Sequence, residues 1–172
     1  MASGISSINL LLVLLAGPFT PPDDPLQRIA DEAVHRIVPG LTSVAPEVID
    51  SVGAVLVGRK GDSVACYAVV RDVRGKDQPI TFLLVLEPSL AIAGLEILAY
   101  REPYGGEIRN STWRRQFTGR RPGDPLRHGR EIRNISGATI SARSVTDGVR
   151  KILDAFRAGR EALPALRPGG PE

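Results

Sequence analysis

The chain has 172 residues, 42% of them hydrophobic and 24% charged, with a formal net charge of +3. This is the composition of an ordinary soluble globular protein, long enough for one domain with its own core. The single cysteine, Cys66, excludes an internal disulfide, a CxxCH haem attachment, a thiolate cluster for iron and sulfur, and a CxxC redox pair.

If the protein handles electrons, an organic cofactor must therefore carry them. Cys66 itself sits in the apolar run from Val64 to Val70 and reads as a buried, inert thiol.

The first twenty-two residues carry no charged side chain, and Ile8 to Phe19 is almost wholly apolar. The run is shorter than the ~20 residues of a membrane span, and Pro18, Pro21 and Pro22 end any helix there. Residues 1–23 therefore read as an export signal or membrane anchor, although no Lys or Arg precedes the run and no clear Ala-x-Ala site follows it. A mis-set start or a disordered leader is the other reading.

Asp24, Pro25 and Gln27 read as an N-cap, a first-turn proline and a capping-box partner. Leu26, Ile29, Ala30, Ala33, Val34 and Ile37 then form one helical stripe, which Pro39 and Gly40 stop. His35 has no second ligand nearby and reads as a surface residue.

Four strand-like runs follow, Val52 to Gly58, Val64 to Arg71, Pro79 to Leu86 and Ala91 to Tyr100, with short turn-like connections. Consecutive strands joined by tight turns predict an antiparallel meander, and neither GxGxxG nor GxxxxGK[ST] occurs in the chain.

Glu102 to Glu107 carries paired glycines directly beyond the last strand, either a sharp turn or a place where backbone approaches something closely. A short helix is expected from Asn110 or Ser111 through Phe117, closed by Gly119, with Trp113 and Phe117 facing the core. Arg120 to Gly129 reads as an exposed, mobile loop. The final helix is expected from about Ser141 to Ala162, burying Val145, Val149, Ile152, Leu153 and Phe156.

The domain thus spans 24–163, and 164–172 reads as a disordered tail. The expected fold class is α+β: an antiparallel β meander packed with an N-terminal helix and a long C-terminal helix.

Arg101 to Arg133 holds nine arginines against Glu102, Glu107, Asp124 and Glu131. Such a stripe suits nucleic acid, anionic lipid, a phosphorylated ligand or an acidic protein, or is simply a solvated face. Nucleic acid is disfavoured because Trp113 and Phe117, which interleave with the arginines, fall at i, i+4 on a helical pattern and more naturally face the core.

Ile135-Ser136-Gly137-Ala138-Thr139-Ile140-Ser141 opens the last helix. It places hydroxyl groups beside a helix N-terminus, where unpaired N–H groups and the helix dipole suit a phosphate, although most such segments merely cap helices.

This segment, with Ala142, Arg143, Ser144 and Val145 after it, resembles the attachment motif of FMN-binding domains, as in components of Rnf electron-transport complexes and of the sodium-translocating NADH:quinone reductase. Glu102-Pro103-Tyr104-Gly105-Gly106-Glu107-Ile108, then Trp113, Gln116, Phe117 and Gly119, is similar to the family's Glu-Thr-Pro-Gly-Leu-Gly loop and Trp/Phe helix. Gly75, Lys76, Pro79, Ile80, Thr81 and Phe82 are similar to a hairpin of small exported relatives, so the resemblance covers about 25–160. Where the family usually has an aspartate six positions before the threonine, this chain has Arg133, followed by Asn134.

The resemblance implies FMN as cofactor, joined through a phosphoester to Thr139 by a dedicated flavin transferase. It implies cofactor-binding roles for Thr139, Ser136, Gly137, Ala138, Ile140, Ser141, Glu102, Tyr104, Gly105 and Gly106. Phosphate oxygens would lie near the backbone of Ser141 and Ala142, and Gly137 would admit the close approach. The Tyr104 to Gly106 loop would be the other wall of a flavin slot.

The expected function is a membrane-associated electron carrier outside the cytoplasm, with protein redox partners, no metal and no acid or base of its own. The competing reading is an exported module that holds an anionic ligand or lipid on its arginine face without flavin. A hydrolase using Ser136 or Ser141 is disfavoured: the chain has no GxSxG elbow and only His35 and His128 as histidine bases.

Overall fold

The computed structural model describes residues 24–163. The expected leader over 1–23 and tail over 164–172 lie outside the described residues. Among those described, no helix is long and apolar enough to cross a membrane.

Helix α1 (Pro25–Ile37) starts as the sequence predicts: the Asp24 carboxylate accepts from the Leu26 N–H at 3.0 Å, and Pro25 occupies the first turn. Gln27 does not close a capping box; its Nε2 donates instead to Asp31 Oδ1 at 3.2 Å. Ala30, Ala33 and Val34 are buried, whereas Ile29, expected in the stripe, is 46% exposed. It lies at the margin of a contact made mainly by small residues. His35 is exposed, as expected.

The sheet is an antiparallel meander, as predicted, but has five strands in sequential order: β1 (Ser43–Ile49), β2 (Gly53–Lys60), β3 (Ser63–Arg74), β4 (Pro79–Leu86) and β5 (Ile92–Tyr100). The sequence reading omitted β1. Pro46 and Glu47 interrupt its apolar pattern, which only an edge strand tolerates, and β1 pairs with β2 alone.

Strand β4 shows why the fold has three layers. Its alternate residues Ile80, Phe82, Leu84 and Leu86 enter the core beneath the C-terminal helix, while Leu83 and Val85 pack with Ala33 and Val34 of α1. Both faces are covered, so the strand reads as one continuous apolar run. Cys66 is fully buried on the α1 side, and burial pushes its thiol pKa up.

Beyond β5 come a 3-10 turn (Gly106–Arg109), the one-turn helix α2 (Ser111–Arg114) and a second 3-10 turn (Arg115–Phe117). The Asn110 side chain accepts from the Thr112 N–H at 2.8 Å and starts α2. Trp113 and Phe117 are buried edge to face with centroids 5.2 Å apart, the core role expected of them.

The segment Arg120 to Gly129 is mostly exposed but is pinned by Leu126, which is 1% exposed. Helix α3 (Thr139–Ala158) begins two residues before the expected Ser141 and stops at Gly159, followed by a 3-10 turn (Arg160–Ala162). Its predicted stripe from Val145 to Phe156 is buried on the sheet.

Candidate functional site

Four pieces of chain meet at the N-terminus of α3: the turn joining β3 to β4, the loop after β5, the segment 133–138, and the first turn of α3 itself. They surround a cavity of about 540 Å³ lined by Lys76, Asp77, Glu102, Pro103, Tyr104 and the run Gly137 to Ser141. Of the ten residues nominated from sequence, Thr139, Gly137, Ala138, Ile140, Ser141, Glu102 and Tyr104 line it directly. Gly105 stands just behind the wall, and Ser136 and Gly106 are outside the lining.

Thr139 is the first residue of α3, and the N-cap position is Ala138, which offers no side-chain acceptor. The first-turn amides of Thr139, Ile140 and Ser141 therefore lack both an intrahelical partner and a capping group. Ala142 differs from expectation. Its N–H is already committed to Ala138 O at 2.9 Å, so the donors for an anion lie one position earlier than the sequence suggested.

Gly137 is also required for another reason than expected. A Cβ there would meet nothing within 4 Å, but its φ of +82° is the left-handed conformation that favours glycine.

Gly105 carries both constraints. Its φ is +85°, and a Cβ would lie 2.5 Å from Tyr100 Oη and 3.2 Å from Ala138 Cβ. The loop after β5 is thereby seated directly against the motif before α3.

Tyr100, which the sequence reading passed over, ties these pieces together. Its hydroxyl donates to Tyr104 O and lies 3.1 Å from Ser141 Oγ. Because the phenol has one proton and spends it on the carbonyl, Ser141 is the donor in the second contact. Arg109 stacks over the Tyr100 ring at 5.5 Å and donates to Tyr100 O at 2.8 Å. The only sequence signal for Tyr100 was its position as the last residue of β5, directly before the glycine loop.

Glu102 is a brace between two walls. Its Oε1 accepts from the N–H groups of Asp77 at 2.9 Å and Gln78 at 3.2 Å, joining the β3–β4 turn to the loop after β5. These donors, Asp77 first, hold its carboxyl below the usual carboxylate range.

The segment entering the motif is clamped from α2 and the 3-10 turn after it. Trp113 Nε1 donates to Arg133 O at 2.9 Å, Arg133 N donates to Gln116 Oε1 at 2.9 Å, and Gln116 Nε2 returns to Trp113 O at 3.1 Å.

The arginine stripe is partly structural. Arg114 pairs with Glu96 and donates to Leu95 O, Arg127 forks onto Glu131, and Arg109 is held on Tyr100. That weakens the reading of the whole stripe as an anion-binding face.

The cavity has the chemistry FMN requires. Its volume is in the ~300–1,000 Å³ range of small-molecule sites. Apolar surface from Pro103, Ala138, Ile140 and the 82% exposed Tyr104 suits a planar ring, while the uncapped amides of α3 and the Lys76 ammonium suit a phosphate.

The class of protein is thus an α+β domain with a phosphate-compatible, partly apolar cleft at the start of its last helix. Residues 75–154 match the family model described as the FMN-binding domain. That match indicates FMN as the cofactor. The matched span runs from the turn that opens the cavity into α3 and includes every residue lining it. No curated protein matches the chain.

Proposed function

We propose that Thr139 carries FMN through a phosphoester, and that the protein is an electron carrier working outside the cytoplasm between protein partners. The observation that carries this reading is the place of the Thr139 hydroxyl: first residue of a twenty-residue helix without a side-chain cap, on the lining of the cavity.

Bound FMN supplies reversible one- and two-electron chemistry, and the protein supplies attachment, orientation and electrostatics. The amides of the first turn of α3 receive the phosphate oxygens. Lys76 balances their charge. Tyr104, Pro103 and Ile140 offer the ring its apolar contacts, and Tyr100 fixes the Tyr104 wall to Ser141. Cys66, buried on the far side of the sheet with a raised thiol pKa, does not compete as a redox group.

Export rests on the apolar run Ile8 to Phe19, and membrane-bound redox partners follow from that location. A flavin transferase is the partner required for maturation.

Production with and without a flavin transferase tests the reading. Yellow, fluorescent protein that survives denaturing electrophoresis, and loses the flavin in Thr139→Ala, is the expected result. Protein that gains no flavin mass in the presence of the transferase overturns attachment and favours non-covalent FMN binding.

A further inference from the structure

We infer that Asn134 and His128 are positioning residues that aim the Thr139 hydroxyl for phosphoester formation, an inference that rests on the attachment reading above.

The residue six positions before Thr139 is Arg133, whose side chain is exposed and whose backbone is held at both polar groups by Trp113 and Gln116. That clamp fixes where the next side chain starts. Asn134 Nδ2 donates to Thr139 Oγ1 at 3.2 Å, and Asn134 Oδ1 accepts from His128 Nε2 at 3.0 Å.

His128 is itself held on a braced loop. Arg127 donates to Glu131 through its backbone N–H and its guanidinium, Gly129 N donates to Ile132 O at 2.8 Å, and Leu126 and Ile132 are buried on either side. With its oxygen taken by His128, the Asn134 amide presents only N–H to Thr139. One lone pair of Oγ1 is thereby occupied, leaving the O–H and the second lone pair without a partner among the described residues.

In the attachment step the Oγ1–P bond forms and the phosphoanhydride P–O bond of a flavin dinucleotide donor breaks. The departing nucleotide keeps that electron pair, and the hydroxyl proton passes to the transferase or solvent. An amide suits this position. It restrains the nucleophile before transfer and still donates to ester or phosphate oxygens afterwards, without placing a negative charge beside them.

Two measurements test the role, one of them independent of flavin. In the flavin-free protein, three-bond couplings from Thr139 Cγ2 to its backbone nitrogen and carbonyl carbon should report one staggered χ1 rotamer, and averaged rotamers in Asn134→Ala. With transferase and flavin dinucleotide, the initial gain of flavin mass should slow about tenfold in Asn134→Ala and about threefold in His128→Ala, the scale of one lost positioning hydrogen bond.

Both sites are outside the core, so melting temperatures should not move; if Asn134→Ala misfolds, His128→Ala carries the test. Equal couplings or equal rates in variant and wild type overturn the positioning role and leave attachment standing. A wild-type protein that gains no flavin mass overturns both.

Discussion

Two clefts of similar volume lie on the same helix, and only one has the chemistry of a flavin site. The first, about 590 Å³, runs along the flank of α3 between Ser51, Arg71 to Arg74, Asp147 and Lys151. The second, about 540 Å³, opens at the N-terminus of α3 around Thr139.

The flank cleft is rimmed by charges of both signs, with Asp72 bonded to Thr81 and Asp147 paired with Arg150, over a floor that is simply the helix–sheet seam. The terminal cleft joins uncapped helix amides to apolar walls held by Tyr100 and Glu102. Volume does not separate the two; directional donors without an internal partner do.

The contrast can be broken most forcefully at Gly105. Gly105→Val forces a branched side chain into the left-handed region and against Tyr100 Oη, and should cost about 2–4 kcal/mol in denaturant unfolding while abolishing FMN binding. Retained FMN affinity in a folded Gly105→Val protein would place the cofactor elsewhere, with the flank cleft the first alternative.

Tyr100→Phe keeps the ring under Arg109 but removes both hydroxyl contacts. It should cost about 1–2 kcal/mol and weaken non-covalent FMN binding to the Thr139→Ala protein, read by fluorescence titration.

Acid should loosen the same cleft more gently. The folded-state pKa of Glu102 is lowered, so its bracing is fully present above the ordinary carboxylate pKa and is lost as pH falls through the lowered value. Glu131 behaves alike, with a pKa lowered to about 2 chiefly by its hydrogen bond from Arg127. Amide exchange at Asp77 and Gln78 should therefore accelerate relative to the β4 core as pH falls below the ordinary carboxylate range. Unchanged relative protection down to pH 2 would mean that Glu102 does not hold the wall.

The smallest effect is expected at the flank. Arg74→Ala with Lys151→Ala should leave FMN affinity within about 0.5 kcal/mol of the parent, because exposed side chains away from the site carry little. A larger loss would assign the flank cleft a share of the cofactor.

Much of this architecture was legible because it follows from periodic patterns. The α3 stripe from Val145 to Phe156, the apolar run of β4 and the Asp24-Pro25 helix start each depend on neighbours close in sequence. β1 was not legible, since Pro46 is tolerated within a strand chiefly at a sheet edge, which is a property of strand order. The motif around Thr139 was legible as well, through its hydroxyl and glycine residues beside a helix start.

The supports of that motif were harder to read. Glu102 reaches Asp77 across 25 residues, Trp113 reaches Arg133 across 20, and Tyr100 reaches Ser141 across 41. No local pattern encodes such contacts.

The sequence by itself determined the two long helices, four of the five strands and the hydroxyl at the head of the last helix, because each is set by residues within a few positions of one another. The tertiary structure alone decided which donors are free in the first turn of α3, which walls face Thr139, and that Asn134 rather than Arg133 reaches it. Those are facts of direction and distance between segments remote in the chain, fixed only when the meander folds and α3 docks on its face.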